Sequence, residues 1–173
     1  YLEDLVGEDD PVEGGSLTRV RLDLDAGRAS AETLHPGGIG LPRIAPAARR
    51  RPYRYVYGQD TGGQPVTGLP GGVMKVDVRT GEATRTRRLE CAFHEPVFVP
   101  NPYARDGATG GAAAGGAPED AGVVLTLCLD RAAGRSEFLV LDARDLTELA
   151  RAPLPHALPL DFHGQFLPAW RHD

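Results

Sequence analysis

Two residues of this sequence have the types and spacing for metal chemistry, Glu95 and His163. Glu95 opens the phrase Glu95-Pro-Val-Phe-Val-Pro100, and His163 opens His163-Gly-Gln-Phe-Leu-Pro168. Aligned on Phe98 and Phe166, the two phrases put a carboxylate and an imidazole at equivalent positions of two related strands. An imidazole that binds a metal needs its second ring nitrogen held by an acceptor, and a carboxylate is a common one. Gly164 leaves out a side chain beside the ring, which gives room for a close approach. Residue types alone favour a plainer reading, in which both are ordinary strand residues.

The remaining reactive residues offer less. His156 stands seven residues before His163, an odd separation that sends the two to opposite faces of an unbroken strand. His94 is adjacent to Glu95 and should face away from it. His35 precedes Pro-Gly-Gly and reads as a loop residue, and His172 lies near the last residue and reads as exposed. No pair of Cys or His has zinc-ligand spacing. Cys91 and Cys128 sit inside apolar strand patterns and no Gly-x-Ser-x-Gly elbow occurs, which argues against a serine or cysteine hydrolase.

The elements that must position Glu95 and His163 are short strands. Leu17–Asp23 alternates and turns at Ala26-Gly27 into Ala29–Leu34; Val73–Val78 turns at Thr80-Gly81 into Ala83–Arg87; Val123–Asp130 turns at Ala133-Gly134 into Ser136–Asp142. The turns share one form, Leu22-Asp-x-x-x-Gly27, Val76-Asp-x-x-x-Gly81 and Leu129-Asp-x-x-x-Gly134, at separations of 54 and 53 residues. A second marker, Pro-x-x-x-Pro, falls at Pro42/Pro46, Pro96/Pro100 and Pro155/Pro159, at separations of 54 and 59. The wider gap contains a Gly/Ala-rich tract that reads as a loop insertion over 107–118. A repeat of about 50 residues made of short strands and Gly turns fits one blade of a β-propeller. Three blades are expected, over roughly 16–68, 69–120 and 121–173. Only Asp145–Ala150 could make a helical turn, and it serves equally as a strand connection.

The 173 residues suffice for one domain, and the net charge of −5 with interspersed signs excludes a nucleic-acid footprint. The basic clusters, Arg49-Arg50-Arg51 and Arg85 with Arg87-Arg88, read as solvated loop or strand edge. Two cysteines without a framework suggest a cytoplasmic setting, and no apolar run reaches membrane-spanning length. The chain starts at Tyr1, and with three blades where propellers close with about four to eight it is expected to be part of a larger protein.

Four phrases then occur in order: Leu41-Pro-Arg-Ile-Ala-Pro46, Pro52-Tyr-Arg-Tyr-Val-Tyr-Gly58, Glu95-Pro-Val-Phe-Val-Pro100 and Phe162-His-Gly164. Together they resemble the C-terminal part of the carotenoid cleavage oxygenases, from about Leu17 onward. The resemblance implies an all-β fold, the C-terminal blades of a seven-bladed propeller incomplete in this chain, with Fe(2+) on the propeller axis held by four His. His163 would be the fourth of them, the other three lying upstream, and Glu95 would orient it. It also implies a carboxylate just before the Leu-Pro-Arg-Ile phrase, where this chain has Gly40. Losing such a partner typically costs about 10–100-fold in metal affinity or activity.

The implied activity is cleavage of a C=C double bond in a carotenoid, apocarotenoid or stilbene-like molecule by O₂, with peripheral membrane contact for uptake of the apolar substrate. Phe93, Phe98, Phe162, Phe166 and Trp170 are candidates to line a tunnel, though strand aromatics more often pack a core. Alone, this chain is expected to be inactive, since one imidazole does not hold ferrous iron. Two alternatives stand beside this reading: a metal-free propeller scaffold or binding module, and a family member that has lost its metal, to which Gly40 points.

Overall fold

Alternating side chains between glycine turns give strands, and the computed structural model describes them over residues 15–62, 69–101, 118–160 and 163–167. Among the described residues the only helical element is one 3-10 turn, Pro46–Ala48. Strands β1 (Leu17–Asp23) and β2 (Arg28–His35) form an antiparallel ribbon. Strands β3 (Ile39–Arg43), β4 (Tyr55–Asp60), β5 (Gly72–Asp77) and β6 (Ala83–Arg87) follow one another in a four-stranded antiparallel sheet. The third sheet pairs β9 (Gly122–Asp130) with β10 (Arg135–Asp142), and β10 with β11 (Glu148–Pro153). On the other side of β9 lie two short strands in line, β7 (Cys91–Phe93) and β8 (Val97–Pro100).

The repeated Asp-x-x-x-Gly phrase is a turn with a mechanism. Asp23 and Asp130 each accept backbone N–H groups of the turn on Oδ1, from Ala26 and from Ala132 and Ala133. Asp77 does the same for Arg79. The glycine that ends each turn sits in the left-handed region, Gly27 at φ 61°, Gly81 at 76° and Gly134 at 63°. A short acceptor followed by a residue without a Cβ is what such hairpins require.

Packing follows from the alternation. On β5, Val73 joins Tyr57, Phe93, Phe98 and Leu139 in the core between the two larger sheets, while Met74 and Val76 face a smaller core with Leu17, Ile39 and Val56. Both faces of this sheet are therefore covered. The ribbon is buried only near its base, and Val20, Leu22 and Leu24 are 61%, 66% and 85% exposed. Stacked antiparallel units of this size are the arrangement of neighbouring propeller blades.

Two expectations change and one is decided. His35 is the last residue of β2 rather than a loop residue, its ring bonded to Gly81 O and to Arg85. Of the two forms open to Asp145–Ala150 it takes the strand connection, with β11 beginning at Glu148. The described residues of 154–168 carry no strand. Pro155 and Pro159 lack the N–H that a ladder needs, so this segment is held by side-chain and isolated backbone bonds instead.

Tyr57 fastens the two larger sheets. Its hydroxyl donates to Ala143 O at 2.9 Å and its ring stacks on Phe98 with centroids 5.5 Å apart. Tyr57→Phe leaves that carbonyl without its donor in a fully buried position, so the full-length protein should lose about 1–3 kcal/mol, read from the urea midpoint at unchanged slope.

Candidate metal centre

The site is built on two one-residue bulges, each containing a proline. On the third sheet, Phe93 lies opposite Cys128 and Val97 opposite Leu125. Three residues, His94, Glu95 and Pro96, therefore face two. On the neighbouring sheet, Gly40 lies opposite Gln59 and Arg43 opposite Tyr57, so Leu41 and Pro42 face Gly58 alone. Leu41 takes up the extra residue at φ 43°. A bulge breaks the ladder and re-aims a side chain. Directly paired residues share a face, so Gly40, Arg43, Tyr57 and Gln59 all address the same side.

The result is that Arg43 and Glu95 meet across the sheets. Arg43 Nε donates to Glu95 Oε1 and Nη2 to Oε2, both at 2.7 Å. Glu95 Oε2 also accepts the Gly164 N–H at 2.8 Å, and His163 Nδ1 lies 3.3 Å from Oε1. The Glu95 side chain is only 4% exposed, whereas that of His163 is 71% exposed. Burial opposes ionisation of Glu95, but the bonds from Arg43, the Gly164 N–H and His163 outweigh it and hold the carboxyl below its ordinary value. An ionised carboxylate only accepts, so in the neutral imidazole it favours the tautomer with the proton on Nδ1 and the lone pair on Nε2.

That arrangement fits a metal-binding imidazole: one nitrogen oriented, the other free on the open side. His163 lines a groove of about 1220 Å³ with Arg43, Pro42, Val97, Phe98 and Phe166. Among the described residues no three His, Cys, Asp or Glu converge on one point, so a metal here would need further ligands.

Glu95 and His163 are thus brought together as their chemistry requires, though neither lies in a strand. Glu95 sits in the bulge, and His163 in the irregular segment that it ties down. Gly164 contributes its N–H, and a Cβ there would meet Val97 at an ordinary 3.5 Å, so the missing side chain opens no special space. Phe98 lines the groove and also stacks in the core; Phe93, 1% exposed, is wholly core; Phe166, 45% exposed, lines the groove. Phe162, Trp170 and His172 lie outside the described residues. His94 is buried and its backbone is bonded to Leu127 and Thr126 of β9; His156 is exposed. Both thiols are buried and pushed up, chiefly by desolvation, Cys128 to about 12, which makes them inert as nucleophiles.

Sequence reasoning quoted Arg43 only as part of a phrase and gave it no role. The one available signal was that Arg43 and Glu95 each flank the first proline of the Pro-x-x-x-Pro marker. Which partner Arg43 finds depends on how two sheets pack, and no local pattern contains that.

The depressed pKa of Glu95 has a definite pH consequence. The docking of His163 and Gly164 contributes fully above the ordinary value of 4.5 and is lost as pH falls through the lower folded-state value. The protection factor of the Gly164 amide, its exchange rate divided into the rate of an unprotected amide at the same pH, should therefore be high at neutral pH and be lost only below pH 4.5. Arg43→Met should move that loss to higher pH and cost about 1–3 kcal/mol of stability, because a buried carboxylate is left short of donors.

Comparison with known proteins shows the family. The model of the retinal pigment epithelial membrane protein family matches residues 3–168. The β,β-carotene 15,15'-dioxygenase of Rattus norvegicus is 36% identical over 132 residues, covering 76% of this chain and 21% of its own. The apocarotenoid-15,15'-oxygenase of Synechocystis is 31% identical over 164 residues, covering 91% of this chain and 30% of its own. A solved structure of cobalt-substituted Synechocystis apocarotenoid oxygenase superposes with a TM-score of 0.79 at 28% identity, over 95% of this chain and 32% of that one. The chain thus spans less than a third of the length of these relatives. The family match over most of the chain, the relatives above 30% identity and the stacked antiparallel sheets agree, and this chain is a member of the carotenoid oxygenase family, contributing part of its β-propeller.

Proposed function

We propose that the full-length protein is a non-haem Fe(II) dioxygenase that uses O₂ to cleave a C=C double bond of a carotenoid, apocarotenoid or stilbene-like substrate. The observation that carries this reading is the contact between His163 Nδ1 and Glu95, 3.3 Å, with Glu95 held ionised by the Arg43 fork. The cobalt-substituted relative supports it, since that protein takes a metal.

Glu95 keeps the proton on Nδ1 and so leaves Nε2 as the metal-facing atom. Arg43 favours the ionised form of Glu95 and so keeps it an acceptor for the His163 ring. Ferrous iron, when bound, would supply the redox chemistry that lets O₂ react with an alkene. Phe98 and Phe166 give the groove apolar walls beside His163, suited to a long apolar polyene and unfavourable to water. Among the described residues no helix is long and apolar enough to cross a membrane. Uptake of an apolar substrate would be served by peripheral contact with a membrane surface, in a cytoplasmic protein.

The test is iron per chain in the full-length protein purified without oxygen, beside His163→Ala. About one iron in the parent, lost in the variant, is the expected result, followed by cleavage of an apocarotenoid or a stilbene. No iron in the parent after incubation with ferrous salt would leave a propeller without this chemistry.

A further inference from the structure

Gly40 stands where the family resemblance implies a carboxylate, and the structure shows what occupies the space. A Cβ built on Gly40 would lie 3.1 Å from Gln59 Oε1 and 3.4 Å from Thr61 Cγ2. Gln59 is the direct cross-strand partner of Gly40, on the face that also carries Arg43. Its Nε2 donates to Phe93 O at 2.9 Å, two residues before Glu95, so the amide cannot flip without losing that bond. With Nε2 committed, Oε1 is the end that stands over the notch left by Gly40. Among the described residues nothing donates to it. Beside the same notch, Thr61 Oγ1 is buried and without a hydrogen-bond partner among the described residues. A buried hydroxyl is rarely left in that state, so Thr61 Oγ1, beside the acceptor end of Gln59, marks a corner suited to one more polar group.

We propose that Gln59 supplies, from β4, the acceptor that Gly40 does not supply from β3. Its Oε1, with Thr61 Oγ1 beside it, receives the N–H of an imidazole ligand contributed by the upstream part of the protein. The inference rests on the metal reading above. An amide oxygen accepts one imidazole N–H as a carboxylate does, but carries no charge and has no proton to gain on acidification. Gln59 is therefore a positioning residue: it acts on a ligand and touches neither iron nor substrate. It also explains how this chain tolerates glycine at position 40, because a glutamate there would compete with Gln59 Oε1 for one volume.

The experiment uses the full-length protein, loaded anaerobically with ferrous salt, and reads iron affinity and the melting temperature of the metal-free form. Gln59→Leu removes the acceptor and should weaken iron binding by about 10–100-fold. It also loses the bond to Phe93 O, so Gly40→Glu combined with Gln59→Leu is the second variant. There the carboxylate enters the vacated space while the Phe93 bond stays lost, and iron affinity should return toward that of the parent. Unchanged affinity in Gln59→Leu overturns the proposal. So does a loss that the double variant fails to restore and that tracks a lower metal-free melting temperature, since the residue is then merely structural. A parent that binds no iron defeats the metal reading itself, together with this inference; a parent that binds iron with an indifferent Gln59→Leu defeats the inference alone.

Discussion

A carboxylate buried to 4% exposure must be neutralised or surrounded by donors, and the region around Glu95 is organised to surround it. Arg43 arrives from one sheet, the Gly164 N–H and the His163 ring from the C-terminal segment, and Glu95 itself from the other sheet. One anion therefore joins three parts of the chain that are far apart in sequence. Replacing any donor leaves a charge short of partners, so the geometry is held by the cost of departing from it. The same anion gives His163 its tautomer. The place of the C-terminal segment and the orientation of the His163 ring depend on one ionised group.

Delivering those groups takes irregular backbone. Regular strands would alternate and send Glu95 and Arg43 wherever the period of two dictated. A bulge at one edge of each larger sheet, marked by Pro42 and by Pro96, adds one residue and turns the following or preceding side chain toward the neighbouring sheet. The regular parts meanwhile fasten the sheets through polar pins set in the core. Tyr57 bonds Ala143 O, Gln59 bonds Phe93 O, and Lys75 reaches Asp120 at 2.7 Å and Arg144 O at 2.9 Å. Each pin satisfies a polar group that would otherwise be buried unpaired, so the interface has one register rather than a sliding apolar contact.

Gly40 marks where the chain differs from the pattern that its resemblance to the carotenoid oxygenases implies. The register across β3 and β4 puts Gln59 opposite that glycine and its Oε1 in the vacated space. An acceptor on the adjacent strand is nearly the same point in space as one on the original strand. Substituting across a ladder is therefore a short step for a sheet protein, although in sequence the two positions are 19 residues apart.

The sequence by itself determined whatever is local. Asp23, Asp77 and Asp130, each four residues before a glycine, set three hairpins, because an Asp oxygen and a residue free to take positive φ are all such turns need. The phrase Glu95-Pro-Val-Phe-Val-Pro100 and the His-Gly pair identified the two central residues. Among the described residues around His163 the expected strand is absent, and Pro155 and Pro159 have no N–H to donate to a ladder. Only the tertiary structure decided that Arg43 closes on Glu95, that Gly164 serves through its N–H rather than its lack of a side chain, and that Gln59 Oε1 stands against Gly40. Those outcomes follow from how neighbouring sheets stack and where bulges shift register, and both are properties of contacts between residues distant in the chain.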